Sequence, residues 1–373
     1  MGWFGKGGRD RKRERLEEHR TIGLLNALVA LAVAAVGYTD WIVVANVSLG
    51  YLYVLPIALS GLINPLPFTV VLAVVCTVLT DIFGPHLPGE PLHLRVTHNV
   101  IGLAGFLVVA FLVTLIAKQR DRLAAEVRRQ RDEYERDLVL AAQVQRRVLP
   151  PPPKLPGFEL AAVMHPARLL GGDYYDFFEI GDGVVDVVIA DVSGKGAAAS
   201  LLMPSLALAL RMRARELSGP AAIVKDLDES LKQITNSATF VTIFYARLHA
   251  TSQTLEYASG GHNPPLLVRT KTGASWLLEE AGPIVGILPG AEFSNTVVPL
   301  ERGDILTLFT DGVTEQENEH GEEFSIDRLR RVVVSKEAES ASFAVTEIAD
   351  AVSAYAGATE QADDLTVVVV KVL

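Results

Sequence analysis

Asp186-Val187-Val188-Ile189-Ala190-Asp191-Val192-Ser193-Gly194-Lys195-Gly196 joins a run of β-branched residues to a carboxylate and then to a glycine turn. With Val184 and Val185 in front of it, the apolar run reads as a strand buried on both faces. Asp191 stands at its end. An Ala/Leu-rich helix follows from about 197 to about 217. The junction therefore presents a charge at a sheet end, beside glycines that let backbone come close to a ligand. Taken alone it reads equally as a turn between two buried elements.

Three further acid groups occupy similar places. Gly171-Gly172-Asp173-Tyr174-Tyr175-Asp176 sets Asp173 after two glycines and before a strand. Ile305-Leu306-Thr307-Leu308-Phe309 is a strand leading through Thr310 to Asp311-Gly312. Asp363-Asp364 opens the strand Leu365-Thr366-Val367-Val368-Val369-Val370. If that last strand runs antiparallel to the others, four or five carboxylates meet at one sheet edge. Such a gathering is unfavourable unless cations neutralise it. An all-oxygen donor set without His or Cys selects hard divalent ions, Mg2+ or Mn2+. Two such ions about 4 Å apart hold a water whose hydroxide attacks a phosphate in line, and no side-chain nucleophile is required. That suits a chain whose one cysteine, Cys76, lies inside an apolar run. A single cysteine also excludes an intrachain disulfide and a zinc site of the Cys/His kind.

At 373 residues the chain is too long for one ordinary domain, and its net charge of −10 argues against a nucleic-acid partner. Residues 1–20 form a basic segment carrying Lys6, Arg9, Arg11, Lys12, Arg13, Arg15 and Arg20. Four nearly uncharged runs follow, at about 21–38, 42–63, 67–83 and 99–117, each close to the length of a membrane-crossing helix. The second contains Gly50 and Pro56, and reads alternatively as a shorter span behind an interfacial piece. Basic residues cluster before the first run and after the fourth, whereas the loop at about 84–98 has only Arg95. Four spans over 21–117, with both ends cytoplasmic, satisfy this distribution. His86, His93, His98 and Glu90 in that outer loop read as solvated polar residues.

Residues 118–150 are charged and helical, with Leu123, Val127, Tyr134, Leu138, Ala141 and Val148 on or near a heptad seam. This predicts a coiled-coil connector joining a homodimer, stopped by Pro150–Pro153. From 151 to 373 the pattern is that of an α+β domain. Strands are expected at about 158–164, 174–180, 184–190, 239–248, 254–259, 265–269, 304–309 and 364–372. Helices are expected at about 197–217, 220–235, 325–335 and 340–357, with Pro204 kinking the first. Strands in groups between helix pairs favour a layered sandwich of largely antiparallel sheets over a doubly wound fold.

In that order and spacing, GGDYYD, DVSGKG, TDGVTE and DDLTVVVV resemble the metal-dependent PP2C-type serine/threonine phosphatases. They are most similar to the bacterial branch that holds the stage II sporulation phosphatase and the stress phosphatases. The lead-in ending Gln143-Val144-Gln145-Arg146-Arg147-Val148-Leu149-Pro150 and the loop Ser259-Gly260-Gly261-His262-Asn263-Pro264-Pro265 belong to the same likeness. The resemblance implies an αββα sandwich with two Mn2+ or Mg2+ ions. It implies that Asp191 bridges the ions, that Val192 offers its carbonyl, and that Asp173, Asp311 and Asp363 complete the ligands, with Asp364 as the other choice for the last place. It further implies a phosphorylated anti-anti-sigma (STAS-type) protein as substrate and a multi-pass bacterial inner-membrane enzyme, its amino-terminal half resembling four-span modules attached to such phosphatases. His262 is a candidate proton donor and Lys195 a candidate phosphate contact, although a buried loop histidine and a surface lysine serve as well. Gly171-Gly172-Asp173 is also similar to the diguanylate cyclase signature, which leaves the other motifs unexplained. The alternative reading is a membrane sensor whose phosphatase-like domain only binds a partner.

Overall fold

The computed structural model describes residues 7–42, 49–83, 91–181, 183–194, 197–234, 239–279, 282–335 and 339–373. Lys6, His86, Glu90, Lys195 and Gly196 lie outside them. The chain divides into two compact units, Met1–Glu133 and Tyr134–Leu373.

The first unit is helical: α1 (Gly7–Ile42), a 3-10 turn (Gly50–Tyr53), α2 (Val54–Ile63), α3 (Leu66–Phe83) and the first part of α4 (Leu92–Val148). Among the described residues, three helical stretches, 20–42, 66–83 and 92–147, are long and apolar enough to cross a membrane. In the second expected run the described residues form a shorter apolar helical stretch, Gly50–Ile63, and residues 43–48 lie outside them. Pro56 sits in the first turn of α2, where a missing N–H costs nothing, and Pro65 prevents α2 from running on into α3. The fourth expected run and the connector are one helix, α4, and it ends where the proline run begins. Tyr53, Ile57, Ala73, Cys76, Phe106 and Ala110 form the interior of this unit. Leu24, Leu28, Leu31, Trp41, Val71, Val78 and Phe111 are exposed on its outside, the reverse of a water-facing surface.

The second unit holds two antiparallel five-stranded sheets. One has the order β1-β10-β9-β6-β7, from Phe158–His165, Leu365–Val372, Asp304–Phe309, Leu266–Arg269 and Ala274–Leu277. The other has the order β2-β3-β4-β5-β8, from Asp173–Gly181, Val184–Val192, Val241–His249, Thr254–Gly260 and Thr296–Pro299. Strand alternation explains the layering. Odd residues of β3 (Val185, Val187, Ile189) meet Leu306, Leu308, Val368 and Val370 between the sheets. Even residues (Val188, Ala190) meet Met203, Leu210 and Leu227 of α5 (Ala197–Glu216) and α6 (Pro220–Ile234). On the far side, Val367 and Val369 meet Leu329, Val345 and Ile348 of α8 (Ser325–Ser335) and α9 (Ala341–Ala356). Helices, sheet, sheet and helices follow one another: the αββα sandwich that the resemblance implies. A one-turn helix, α7 (Asp311–Thr314), follows β9.

Asp186 is buried on the helix side of β3, which requires a partner. Arg247, opposite it on β4, supplies two N–H donors at 2.7 and 2.8 Å, and the Tyr245 hydroxyl a third at 2.5 Å. Helix α5 runs through Pro204, so the Ser200 carbonyl gives up its intrahelical donor. The short strands β7 and β8 and helix α7 were not expected from the sequence pattern.

Candidate active site

Where the apolar alternation of the strands runs out, polar residues continue it. On β2, Tyr175 and Phe177 join the core between the sheets, so Asp173, two residues earlier, faces the same gap. Asp191 lies directly opposite Asp173, and Thr242 of β4 directly opposite Asp191. From the other sheet, Thr310 follows β9 and Thr366 belongs to β10, each in phase with the residues that face the gap. The two sheets meet at Asp173. Its Oδ2 accepts hydrogen bonds from Thr310 Oγ1 at 2.8 Å and Thr366 Oγ1 at 2.6 Å. Only 2 % of Asp173 is exposed. Burial holds its carboxyl well above the usual carboxylate range, and the charges of Asp191 and Asp364 push the same way, while the two hydroxyls pull it down.

Asp364 is engaged on both oxygens. Oδ1 accepts from Ala167 N at 2.8 Å, and Oδ2 from Gly172 N at 2.6 Å. A Cβ on Gly171 would lie 2.6 Å from that same Oδ2, so the turn before Asp173 tolerates no side chain there. A Cβ on Gly312 would lie 2.0 Å from the Asp364 carbonyl oxygen, which fixes Asp311-Gly312 tightly against Asp363-Asp364. Asp363 turns its Oδ1 back to accept from Asp364 N at 2.9 Å. Glu315, one turn after Asp311, is raised from the ordinary glutamate range by burial and then by the charges of Asp311, Glu323 and Asp363. Asp173, Asp191, Asp311, Asp363 and Asp364 thus share one rim of the sandwich. Asp191, Asp311 and Asp363 are half-buried there. Val192 ends β3 with its N–H directed to Gly172 O at 3.3 Å.

Among the described residues, no three His, Cys, Asp or Glu side chains converge on a single point as a closed cation cage. The rim offers only oxygen, and it gathers like charges around a buried carboxyl. That donor set fits hard divalent ions. His262 has a different place. It is buried, its Nδ1 lies 2.9 Å from Thr242 Oγ1, and burial lowers its pKa to about 4 against the backbone of Phe309. The structure thus places His262 as an enclosed loop histidine paired with Thr242, beside the end of the strand that carries Asp191. Thr310 and Thr366 have site roles that the motifs alone did not reveal. Alternation carried one step past the Val and Leu residues would have pointed them at the gap.

Comparison with known proteins follows the same outline. A family model described as Stage II sporulation protein E (SpoIIE) matches residues 181–373. Phosphoserine phosphatase RsbU of Bacillus subtilis (strain 168) is 32% identical over 190 residues, which are 51% of this chain and 56% of that protein. The chain spans about half the length of the curated relatives it matches. Among solved structures, the SiaA-PP2C domain of Pseudomonas aeruginosa superposes with a TM-score of 0.58 at 21% identity, covering 65% of this chain and 98% of that one. The RsbU and RsbW domains of Rv1364c from Mycobacterium tuberculosis give 0.51 at 26% identity, covering 60% of this chain and 61% of that one. The fold is therefore that of PP2C-type phosphatase domains. With just over half of its residues matched by the family model, the chain belongs to the Stage II sporulation protein E (SpoIIE) family.

Proposed function

We propose that the protein is a membrane-anchored, divalent-metal-dependent phosphatase of phosphoserine and phosphothreonine. In this reading Asp173, Asp191, Asp311 and Asp363, with the Val192 carbonyl, hold two Mn2+ or Mg2+ ions. Asp173 carries the proposal: a carboxyl buried between two sheets, steadied by two hydroxyls and pressed by two more acids. Such a group is costly alone and favourable beside a cation. When bound, the ions would supply an activated water and neutralise the phosphate oxygens. Thr310 and Thr366 keep Asp173 in one orientation. Asp364, with both oxygens on backbone N–H groups, holds the Gly171-Gly172 turn and acts as a clamp, which leaves the ligand place to Asp363. The reaction class is supported by the name of the relative RsbU, a phosphoserine phosphatase. The substrate we assign is a phosphorylated STAS-type anti-anti-sigma protein, as the motif resemblance implies.

The topology we assign is four passes with both ends cytoplasmic, although α2 is short. Leu49 N, ahead of the 3-10 turn, bonds to Asp40 Oδ1 at 2.8 Å, and Asn64, after α2, bonds to Asn26 Oδ1 at 2.7 Å. Between them the chain returns along α1 from the level of residue 40 to that of residue 26, roughly 21 Å of helix rise. Asp81 after this return pairs with Arg95 at 2.7 Å and with Asn99 at 2.8 Å, which joins the end of α3 to the start of α4. The homodimer we assign rests on Leu123, Val127 and Tyr134, exposed along α4.

The test uses the full chain in lipid nanodiscs with para-nitrophenyl phosphate and a phosphoserine STAS protein. Hydrolysis should require Mn2+ or Mg2+ and stop with chelator. Asp191→Asn should cost on the order of 100-fold or more, the scale of losing a charge stabiliser. Retention of over half the wild-type rate at saturating metal overturns the assignment.

A further inference from the structure

We propose that Gln145, in the last turn of α4, is a positioning residue for the metal site, so that the placement of Asp173 depends on the end of that helix. The inference rests on the metal-centre reading above and adds to it the residue through which the helix acts.

Gln143, Val144, Arg146 and Arg147 are exposed, and Gln145 between them is 4 % exposed. A buried amide has to satisfy both its ends. Gln145 does so on the backbone of one residue: its Nε2 donates to Gly171 O at 2.6 Å, and its Oε1 accepts from Gly171 N at 3.2 Å. A side-chain amide thus takes the part of a neighbouring strand. No other residue type matches a backbone donor and acceptor in this way at that reach, since Asn is one methylene shorter and Glu cannot donate.

What it holds is the turn that carries Asp173. Gly171 has no side chain, and a Cβ there would lie 2.6 Å from Asp364 Oδ2, too close to fit without moving that carboxylate. Its neighbour Gly172 donates to Asp364 and accepts from Val192 N. The next residue is Asp173. One face of the two-glycine turn is therefore fixed by the acid strands and the other by α4. A cleft of about 460 Å³ opens beside Gln145, lined also by Arg146, Leu149, Met164, His165 and Leu169, so part of the space between helix and loop is empty. Rotation of the helix by one residue, about 100°, would carry the amide away from Gly171. The glycines would then be free to take up other backbone angles, and Asp173 would lose its setting towards Asp191.

The experiment compares wild type, Gln145→Met, Gln145→Glu and the exposed control Gln143→Met, all as full chains in nanodiscs. Mn2+ binding is read from the loss of the free-ion EPR signal, activity is read across a Mn2+ titration, and amide exchange is followed over residues 168–174. Gln145→Met keeps the shape and removes both bonds. Its metal affinity should fall about tenfold or more, the usual scale for a group that orients a ligand. Its rate at saturating Mn2+ should return to within threefold of wild type, and the glycine turn should exchange faster in the absence of metal. Gln145→Glu, which keeps the acceptor, should fall between. Gln143→Met should match wild type. Wild-type affinity in Gln145→Met overturns the inference while leaving the metal centre standing. An equal loss in Gln143→Met does the same, because the effect would then belong to the helix at large. Absence of Mn2+ binding by wild type overturns the metal-centre reading itself, and the inference falls with it.

Discussion

Thr366→Val is the cleanest probe of Asp173. Valine keeps the shape of threonine and removes one hydroxyl, the donor at 2.6 Å to Asp173 Oδ2. Thr310 is less suitable, because its Oγ1 also accepts from Thr366 N at 3.1 Å and its removal would orphan a buried amide. A hydrogen bond to a charged group contributes about 1.5–3 kcal/mol, and the extra buried methyl offsets about 0.8 kcal/mol. The net loss of folding stability should be about 1–2 kcal/mol. The second donor, Thr310 at 2.8 Å, remains, so Asp173 stays in place but turns more freely. A ligand with one of two supports removed should bind metal about tenfold more weakly. The assay is phosphatase rate against Mn2+ concentration, with Thr366→Ser as the variant that restores the hydroxyl. Half-saturation should move up about tenfold in Thr366→Val and return in Thr366→Ser, with the plateau rate little changed. If half-saturation in Thr366→Val stays within twofold of wild type, Asp173 is not a metal ligand and the rim has to be read again.

Three other outcomes follow from the same geometry. His262 is buried neutral with its pKa lowered to about 4, so the unfolded chain binds the extra proton first and stability falls as pH drops through the window from about 6.5 to 4; denaturant titrations should show about 2 kcal/mol lost between pH 7 and pH 5 from this group, and His262→Gln should lose less over that range. Accessibility tags at Gly8 and after Lys118 should report the same side of the membrane and a tag at Gly89 the opposite one; opposite sides for the first two would sink the four-pass topology. Leu138→Glu in α4 should weaken dimerisation in sedimentation and change the phosphatase rate severalfold, whereas a monomer in both forms with equal rates would make the connector a tether.

The sandwich was legible because its strands are buried on both faces. Runs such as Val184–Ile189 and Leu365–Val370 have no other stable placement, and the acids at their ends mark where each stops. Ala274–Leu277 and Thr296–Pro299 escaped notice because each is a four-residue edge strand, partly exposed and without a core-forming pattern. The second apolar run poses a different question. Apolar composition continues through residues 42–63, but the described helix occupies only Gly50–Ile63, and hydropathy does not report where a helix begins. The acids of the rim could be named from sequence, and the resemblance favoured Asp363 over Asp364 as ligand, but the clamping contacts of Asp364 could not be read there. They depend on Ala167 and Gly172, nearly two hundred residues away, presenting their N–H groups to Asp364.

The two sheets contribute unlike parts to the rim, and this bears on how the site can be controlled. Asp173 and Asp191 come from one sheet, while Thr310, Thr366 and Asp364 come from the other. Neither sheet alone assembles the oriented carboxyl, so the setting of Asp173 is a property of how the sheets register. The core between them, with Phe177, Ile189, Phe244, Leu308 and Val368 buried, resists sliding, since close-packed interiors move between discrete arrangements and do not deform smoothly. The soft element is the Gly171-Gly172 turn, which has no side chains of its own to pack and is fixed by hydrogen bonds from Gln145 and Asp364. A signal arriving along a helix need not move the sheets. Under the proposed role of Gln145, releasing Gly171 at that turn would change where Asp173 points at the cost of two hydrogen bonds, with the rest of the sandwich left intact.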